Sequence, residues 1–179
     1  LRPLTETDIP LLVELYRQAC ARSLLAVPRE AAFWRFDAFG RHEQSGLASD
    51  HFVIVPEGQP DAPVGAVVAA RRLWVTQLVV RFLEVAPGTS MVAVAPSLLR
   101  ALDALGPRTA ARTGKVYDAI CFELGAEHPL FDALPNALQR EVKPYAWYVR
   151  IPDLPRFLNA IAPALEQRLA ASPEAGWHG

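Results

Sequence analysis

A chain of 179 residues with 51% apolar and 21% charged residues has the composition of an ordinary globular protein with a sizeable core. Its formal net charge of −1 argues against a nucleic-acid binder, which needs a concentrated cationic face. No apolar run approaches the ~20 residues of a membrane span, and the two distant cysteines, Cys20 and Cys121, read as reduced thiols of a cytoplasmic protein.

In chain order, residues 1–4 read as a short strand. Thr5 or Thr7 can cap the helix that follows, with Asp8 in its first turn. Ile9, Leu12, Leu15, Tyr16, Ala19 and Leu24 recur at three- and four-residue spacing, which predicts an amphipathic helix over 8–25, ended by Val27-Pro28. A second helix is predicted over 29–39, carrying Phe33, Trp34, Phe36 and Phe39, with Gly40 closing it. Strands at 51–55, 64–71 and 76–85 form an antiparallel run. The last is apolar on both faces through Leu78-Val79-Val80 and Phe82-Leu83, the pattern of a central strand covered on each side.

The junction Ala86-Pro87-Gly88-Thr89-Ser90 then leads into a helix predicted over 91–105, with Val92, Ala95, Leu98, Leu99 and Leu102 on one face and Pro96 interrupting it a turn in. A strand running into a helix start is where α/β proteins bind phosphates, through unpaired N–H groups and the positive dipole end. Residues 106–114 read as a loop, 116–124 as a strand, 128–142 as a helix and 145–151 as the last strand. A final helix is predicted over 153–171, kinked at Pro163. The opening at Leu1, the single Met91 and the uncapped end at Gly179 favour a piece of a longer polypeptide.

This order, with Leu1-Arg2-Pro3-Leu4-Thr5-Glu6-Thr7-Asp8-Ile9-Pro10 at its start and Val64-Gly65-Ala66-Val67 in its second full strand, resembles the GNAT acetyltransferase fold. The segment from Tyr145 through Trp147, Arg150 and Pro152 to Phe157 resembles the junction of tandem-GNAT proteins of the enhanced-intracellular-survival type. In those, two GNAT lobes precede a sterol-carrier-like domain. The resemblance implies an α/β (α+β) fold with a mixed, largely antiparallel sheet flanked by helices, plus an extra C-terminal helix. It implies a GNAT-like domain at 1–151 and the first helix of a carrier-like domain at 152–179. Its partners would be the upstream lobe and the downstream domain of the same polypeptide, with homo-oligomer contacts, and no nucleic acid or membrane.

The family's cofactor is acetyl-CoA, held by a Gln/Arg-x-x-Gly-x-Gly/Ala loop after the fourth strand. Nothing after Val85 matches it, and no two glycines lie two residues apart anywhere in the chain. Second lobes of tandem members characteristically lack this loop, so this chain is expected to bind no cofactor itself and to carry no catalytic residue. The alternatives are a stand-alone GNAT enzyme with a divergent loop, gripping pantetheine through the strand backbone at 83–85, or a non-catalytic interaction module.

Candidate chemistry is sparse. Acetyl transfer needs a base for the amine and an acid for the leaving thiolate. Tyr117 and Tyr145 are the acid candidates and Glu84 and Glu123 the bases, though packing, capping or surface pairing also explains them. Cys121 and His128 have no third orienting residue, and the four histidines show no metal-ligand spacing. Phe33, Trp34 and Phe36 lie where the fold's second helix borders the acceptor groove, and could wall a pocket for an apolar or cationic acceptor; core and interlobe packing is the plainer reading. Arg71-Arg72-Leu73-Trp74 reads as a hairpin tip suited to an interface, and Arg108, Arg112 and Lys115 as a solvated loop or a phosphate contact.

Overall fold

The computed structural model describes residues 1–23, 26–135, 137, 150–173, 175 and 176. The chain divides into two compact units, Leu1–Gln139 and Arg140–Gly179. In the first, a five-stranded sheet has the order β1 (Arg2–Pro3), β2 (Ser49–Ile54), β3 (Gly65–Ala70), β4 (Gln77–Val85), β5 (Ala119–Phe122). The first four strands pair antiparallel, and β4 pairs with β5 in parallel. Helices α1 (Ile9–Ala21), α2 (Ala31–Arg35), α3 (Met91–Thr113) and α4 (Pro129–Ala133) flank the sheet.

Successive strand residues point to opposite faces, and the core divides accordingly. Val53, Val68 and Phe82 meet Leu12 and Leu15 of α1 and Trp34 of α2. Their sequence neighbours Ile54, Val67 and Leu83 meet Ala95, Leu98 and Leu102 of α3 and Leu130 of α4. β4 is thus covered on both sides, as its apolar run predicts. Ahead of α1, Thr5 and Asp8 close a 3₁₀ turn at Glu6–Asp8: the Asp8 carboxylate accepts from the Thr5 backbone and hydroxyl at 2.8 and 2.7 Å and from Arg2 at 2.9 Å.

Several predicted bounds move. α1 ends at Ala21, and Leu24 and Leu25 lie outside the described residues. The second helix begins at Ala31 and widens into a π-helical turn, Phe36–Gly40, which the chain leaves in extended conformation at Arg41 instead of through a left-handed glycine at 40. The predicted loop at 106–114 is instead the last two turns of α3, which runs unbroken through Pro96 and Pro107 to Thr113 and ends on left-handed Gly114. Gly106 does not break the helix there. A Cβ at this position would stand 2.3 Å from the Tyr117 ring, so the missing side chain is what lets that ring lie on α3. β5 is shorter than predicted, because Tyr117 packs on the helix and pairing with β4 ends at Val80.

α4 starts at His128 as predicted but covers only Pro129–Ala133. Residues 136 and 138–149 lie outside the described residues, and with them most of the last predicted strand; Arg150 and Ile151 are not in a strand. In the second unit, α5 (Leu154–Ala170) is capped by Asp153, whose carboxylate accepts from the Arg156 backbone at 3.0 Å, and continues through Pro163. Among the described residues, no helix is long and apolar enough to cross a membrane.

Candidate functional site

The sheet's main irregularity sits in β4. Val68 pairs with Phe82 but Ala69 pairs with Val80, so Arg81 has no partner across β3. Such a bulge bends its strand and sharpens the local twist. β5 stops pairing at the same place: Phe122 is opposite Val80, and the Glu123 N–H donating to the Val80 carbonyl at 2.9 Å is the last bond of the ladder. β5 ends at Phe122, so from Arg81 to Val85 the β5 side of β4 has no strand beside it among the described residues, which leaves a cleft in the sheet. The Arg81 side chain meanwhile reaches back to the Leu47 carbonyl at 3.1 Å and the Ser49 hydroxyl at 3.2 Å.

The turn before α4 fills this cleft. His128 is 4% exposed. Its Nδ1 accepts from the Leu130 N–H at 3.1 Å, so Nε2 carries the proton and donates to the Leu83 carbonyl at 2.7 Å. Leu130, fully buried, drops from there into the core against α3. Glu84, next along β4 and also 4% exposed, lies 3.5 Å from His128 Nε2 and accepts from the Arg22 guanidinium at the end of α1. A buried carboxylate needs this pairing, since an uncompensated charge in the interior costs several kcal/mol. Glu84 is therefore a buried ion-pair member, where the sequence offered a strand-end base or, more readily, a cap or surface pair. Arg22 was not foreseen, and His128 was weighed only as a base for Cys121; the signal for their meeting with Glu84 was an acid inside the apolar run Leu83-Glu84-Val85.

The other candidates lie elsewhere. Tyr117 precedes β5 beside Gln77, at the opposite end of β4, about 20 Å along the strand from Leu83. Its hydroxyl donates to Asp103 at 2.8 Å. Burial, that hydrogen bond and the charges of Asp103 and Asp118 push its phenol far above the ordinary range. Burial and the nearby Glu123 carboxylate push the Cys121 thiol up, away from the thiolate a nucleophile requires. Glu123 is exposed, and Tyr145 lies outside the described residues. Among the described residues, no three His, Cys, Asp or Glu side chains are grouped to hold a metal ion.

Of the aromatic trio, Trp34 is 1% exposed and packs edge-on against Tyr16 and Phe33 and tilted on Phe82. Phe33 is exposed only in part, and Phe36 is 53% exposed with Arg41 over its ring. The structure brings Phe33 and Trp34 together and leaves Phe36 apart. The cation these rings hold is the chain's own: the Arg29 guanidinium lies 4.8 Å from the Phe33 centroid, 5.0 Å from Tyr16 and 5.5 Å from Trp34. Beside them, His51 Nε2 and Asp37 Oδ2 are 3.0 Å apart, and Arg41 Nε donates to the same carboxylate at 2.8 Å. Burial would raise the Asp37 carboxyl; the His51 and Arg41 hydrogen bonds and charges outweigh it and hold the group below its usual range.

At the start of α3, Gly88 has a φ of +84°, Pro87 has no N–H to offer, and the Ser90 hydroxyl takes the Ala93 N–H at 3.3 Å. A groove of about 680 Å³ runs from Thr89 and Ala93 against the end of β2 and the loop that leads to β3, and among the described residues Glu57 is the only charged side chain lining it.

No protein-family profile and no curated protein matches this chain. Among solved structures it is similar to one from Agrobacterium tumefaciens str. C58, named "Putative acetyltransferase", at 14% identity over 84% of this chain and 98% of that one, with a TM-score of 0.54. Another, from Thermus thermophilus, is 24% identical over 85% of this chain and 96% of that one, with a TM-score of 0.43. The chain has a GNAT-like fold: a mixed, mostly antiparallel open sheet with flanking helices, and β4 and β5 paired in parallel only as far as Val80 and Phe122. Acetyl-CoA is the cofactor that fold implies, and the residues present do not fit it. The Leu83 carbonyl is taken by His128, the α3 start has lost a donor to Ser90 and another to Pro87, and the adjoining groove carries an anion where a diphosphate needs cations.

Proposed function

We propose that this chain is a supporting lobe of a GNAT-type N-acetyltransferase, one that buttresses a catalytic lobe and holds no acetyl-CoA of its own. The observation that carries this reading is the His128 imidazole donating to the Leu83 carbonyl, with Leu130 beneath it, in the cleft beside β4 beyond the end of β5. Arg29 on the Phe33 and Trp34 rings supports it as well, because a cationic acceptor would have to displace a side chain already stacked there. On this reading Phe33, Trp34 and Phe36 act at one remove, by shaping the wall of an acceptor pocket shared with the neighbouring lobe. The partners are an upstream GNAT-like lobe and a downstream carrier-like domain of the same polypeptide, with further copies of the chain.

The test is to express the complete reading frame and assay acetyl transfer to a panel of amines, with and without this lobe. Activity should need both lobes, and this chain alone should have none. Turnover by this chain alone would refute the supporting role. A second reading, a stand-alone acetyltransferase, is favoured by one finding: the Agrobacterium structure is covered over 98% of its length, so one lobe of this size matches nearly all of that protein. That reading requires acetyl-CoA to enter the cleft and displace His128 from Leu83.

A further inference from the structure

At the end of the sheet remote from the β4–β5 cleft, a pocket of about 540 Å³ is lined by Arg71 and Arg72 from the β3–β4 hairpin, Arg112, Thr113 and Lys115 from the end of α3, and Glu43 and Gln44 from the loop before β2. Segments distant in sequence therefore bring four cations to one concavity. Asp50 aligns two of them, accepting from Arg71 Nε at 2.9 Å and from Arg112 at 2.6 Å. Arg71 also donates to the Ser49 carbonyl at 3.3 Å, and Lys115 Nζ is pinned by the Leu73 carbonyl at 3.1 Å. Arg72 is exposed and has no hydrogen-bond or ion-pair partner among the described residues.

A helix C-terminus attracts cations by its dipole, which accounts for Arg112 and Lys115. It does not account for two arginines arriving from the hairpin, nor for one carboxylate shared between guanidiniums from different elements. Against the four cations stand Glu43 and Asp50, so two positive charges are unmatched. A guanidinium has five N–H donors in a planar fork suited to phosphate oxygens. Arg71 and Arg112 each keep donors free after bonding Asp50. The volume falls in the range of small-molecule sites.

We propose that this pocket binds the dianionic phosphate monoester of a small molecule, gripped by Arg72 and by the Asp50-aligned Arg71 and Arg112, with Lys115 at the rim. The site lies at the other end of β4 from the cleft and is independent of acetyl-CoA binding there. The probe is inorganic phosphate at pH 7.5 and constant ionic strength, titrated into the isotope-labelled full chain and followed through backbone amide shifts. Saturable shifts confined to residues 71–72 and 112–115 are expected, with formate, a monoanion, giving none. Arg72→Ala and Arg112→Ala should each weaken binding about tenfold, as loss of one charge-assisted hydrogen bond does. Arg72 is exposed, and unchanged amide dispersion in Arg72→Ala verifies that its fold is intact. Three results would overturn the proposal: no saturation, wild-type affinity in both variants, or shifts centred on the α3 start at 88–93.

Discussion

His128→Ala is the sharpest structural perturbation, because one imidazole holds both sides of the filled cleft. The substitution removes the Nε2 donor from the Leu83 carbonyl and the Nδ1 acceptor from the Leu130 N–H, leaving both backbone groups buried. Each lost bond costs about 1 kcal/mol and an unsatisfied buried group more, so a total near 3 kcal/mol is expected. In urea, at about 2 kcal/mol/M for a domain of this size, the midpoint should fall by about 1.5 M with an unchanged slope. Conservative variants divide the effect. Asn can restore the acceptor that caps α4, and Gln the longer-range donor to Leu83, so each should recover about half of the loss. A His128→Ala midpoint within about 0.5 M of wild type would refute the placement of His128 in the cleft.

Gly65→Ala should be equally severe, because its Cβ would stand 2.5 Å from the Glu84 backbone carbonyl, and β4 has no room to retreat; a loss of about 2–3 kcal/mol in chemical denaturation is expected. Gly106→Ala collides instead with a movable ring. The helix gains about 1 kcal/mol in propensity but loses Tyr117 packing and its Asp103 bond. Gly106→Ala should therefore destabilise the wild type yet stabilise a Tyr117→Ala background, a sign reversal readable in thermal melts. Asp37→Asn should cost about 2–3 kcal/mol at pH 7 by stripping His51 and Arg41 of their carboxylate. Because the folded Asp37 carboxyl titrates below its unfolded value near 3.9, its stabilisation is present above that pH and disappears as the pH falls through the lower folded value. The variant should thus lose less stability than wild type between pH 4 and lower pH, as urea midpoints will report.

The order of elements in the first unit was legible because it rests on period and punctuation, which are local. Leu12 and Leu15 declare the buried stripe of α1, and the two-sided apolar run of β4 declares a covered strand. The second half of α3 was not, because Gly106-Pro107 reads as a stop unless Tyr117 is known to lie on it. The cleft was half legible. The poor anion cradle is visible in Pro87 and a single glycine, whereas its occupant comes from a turn 45 residues beyond Leu83. Arg22, Glu84 and His128 meet through three elements, and no spacing in the chain announces that. Likewise Arg29 precedes the aromatic helix in plain view, but only the folded chain stacks it over Tyr16 and Phe33.

The most direct test is calorimetric titration of acetyl-CoA into this chain. With the Leu83 carbonyl engaged and no Lys or Arg side chain among the described residues lining the groove beside α3, no saturable heat is expected up to millimolar cofactor. Saturable binding at micromolar concentration, with amide shifts at residues 83–93, would contradict the account.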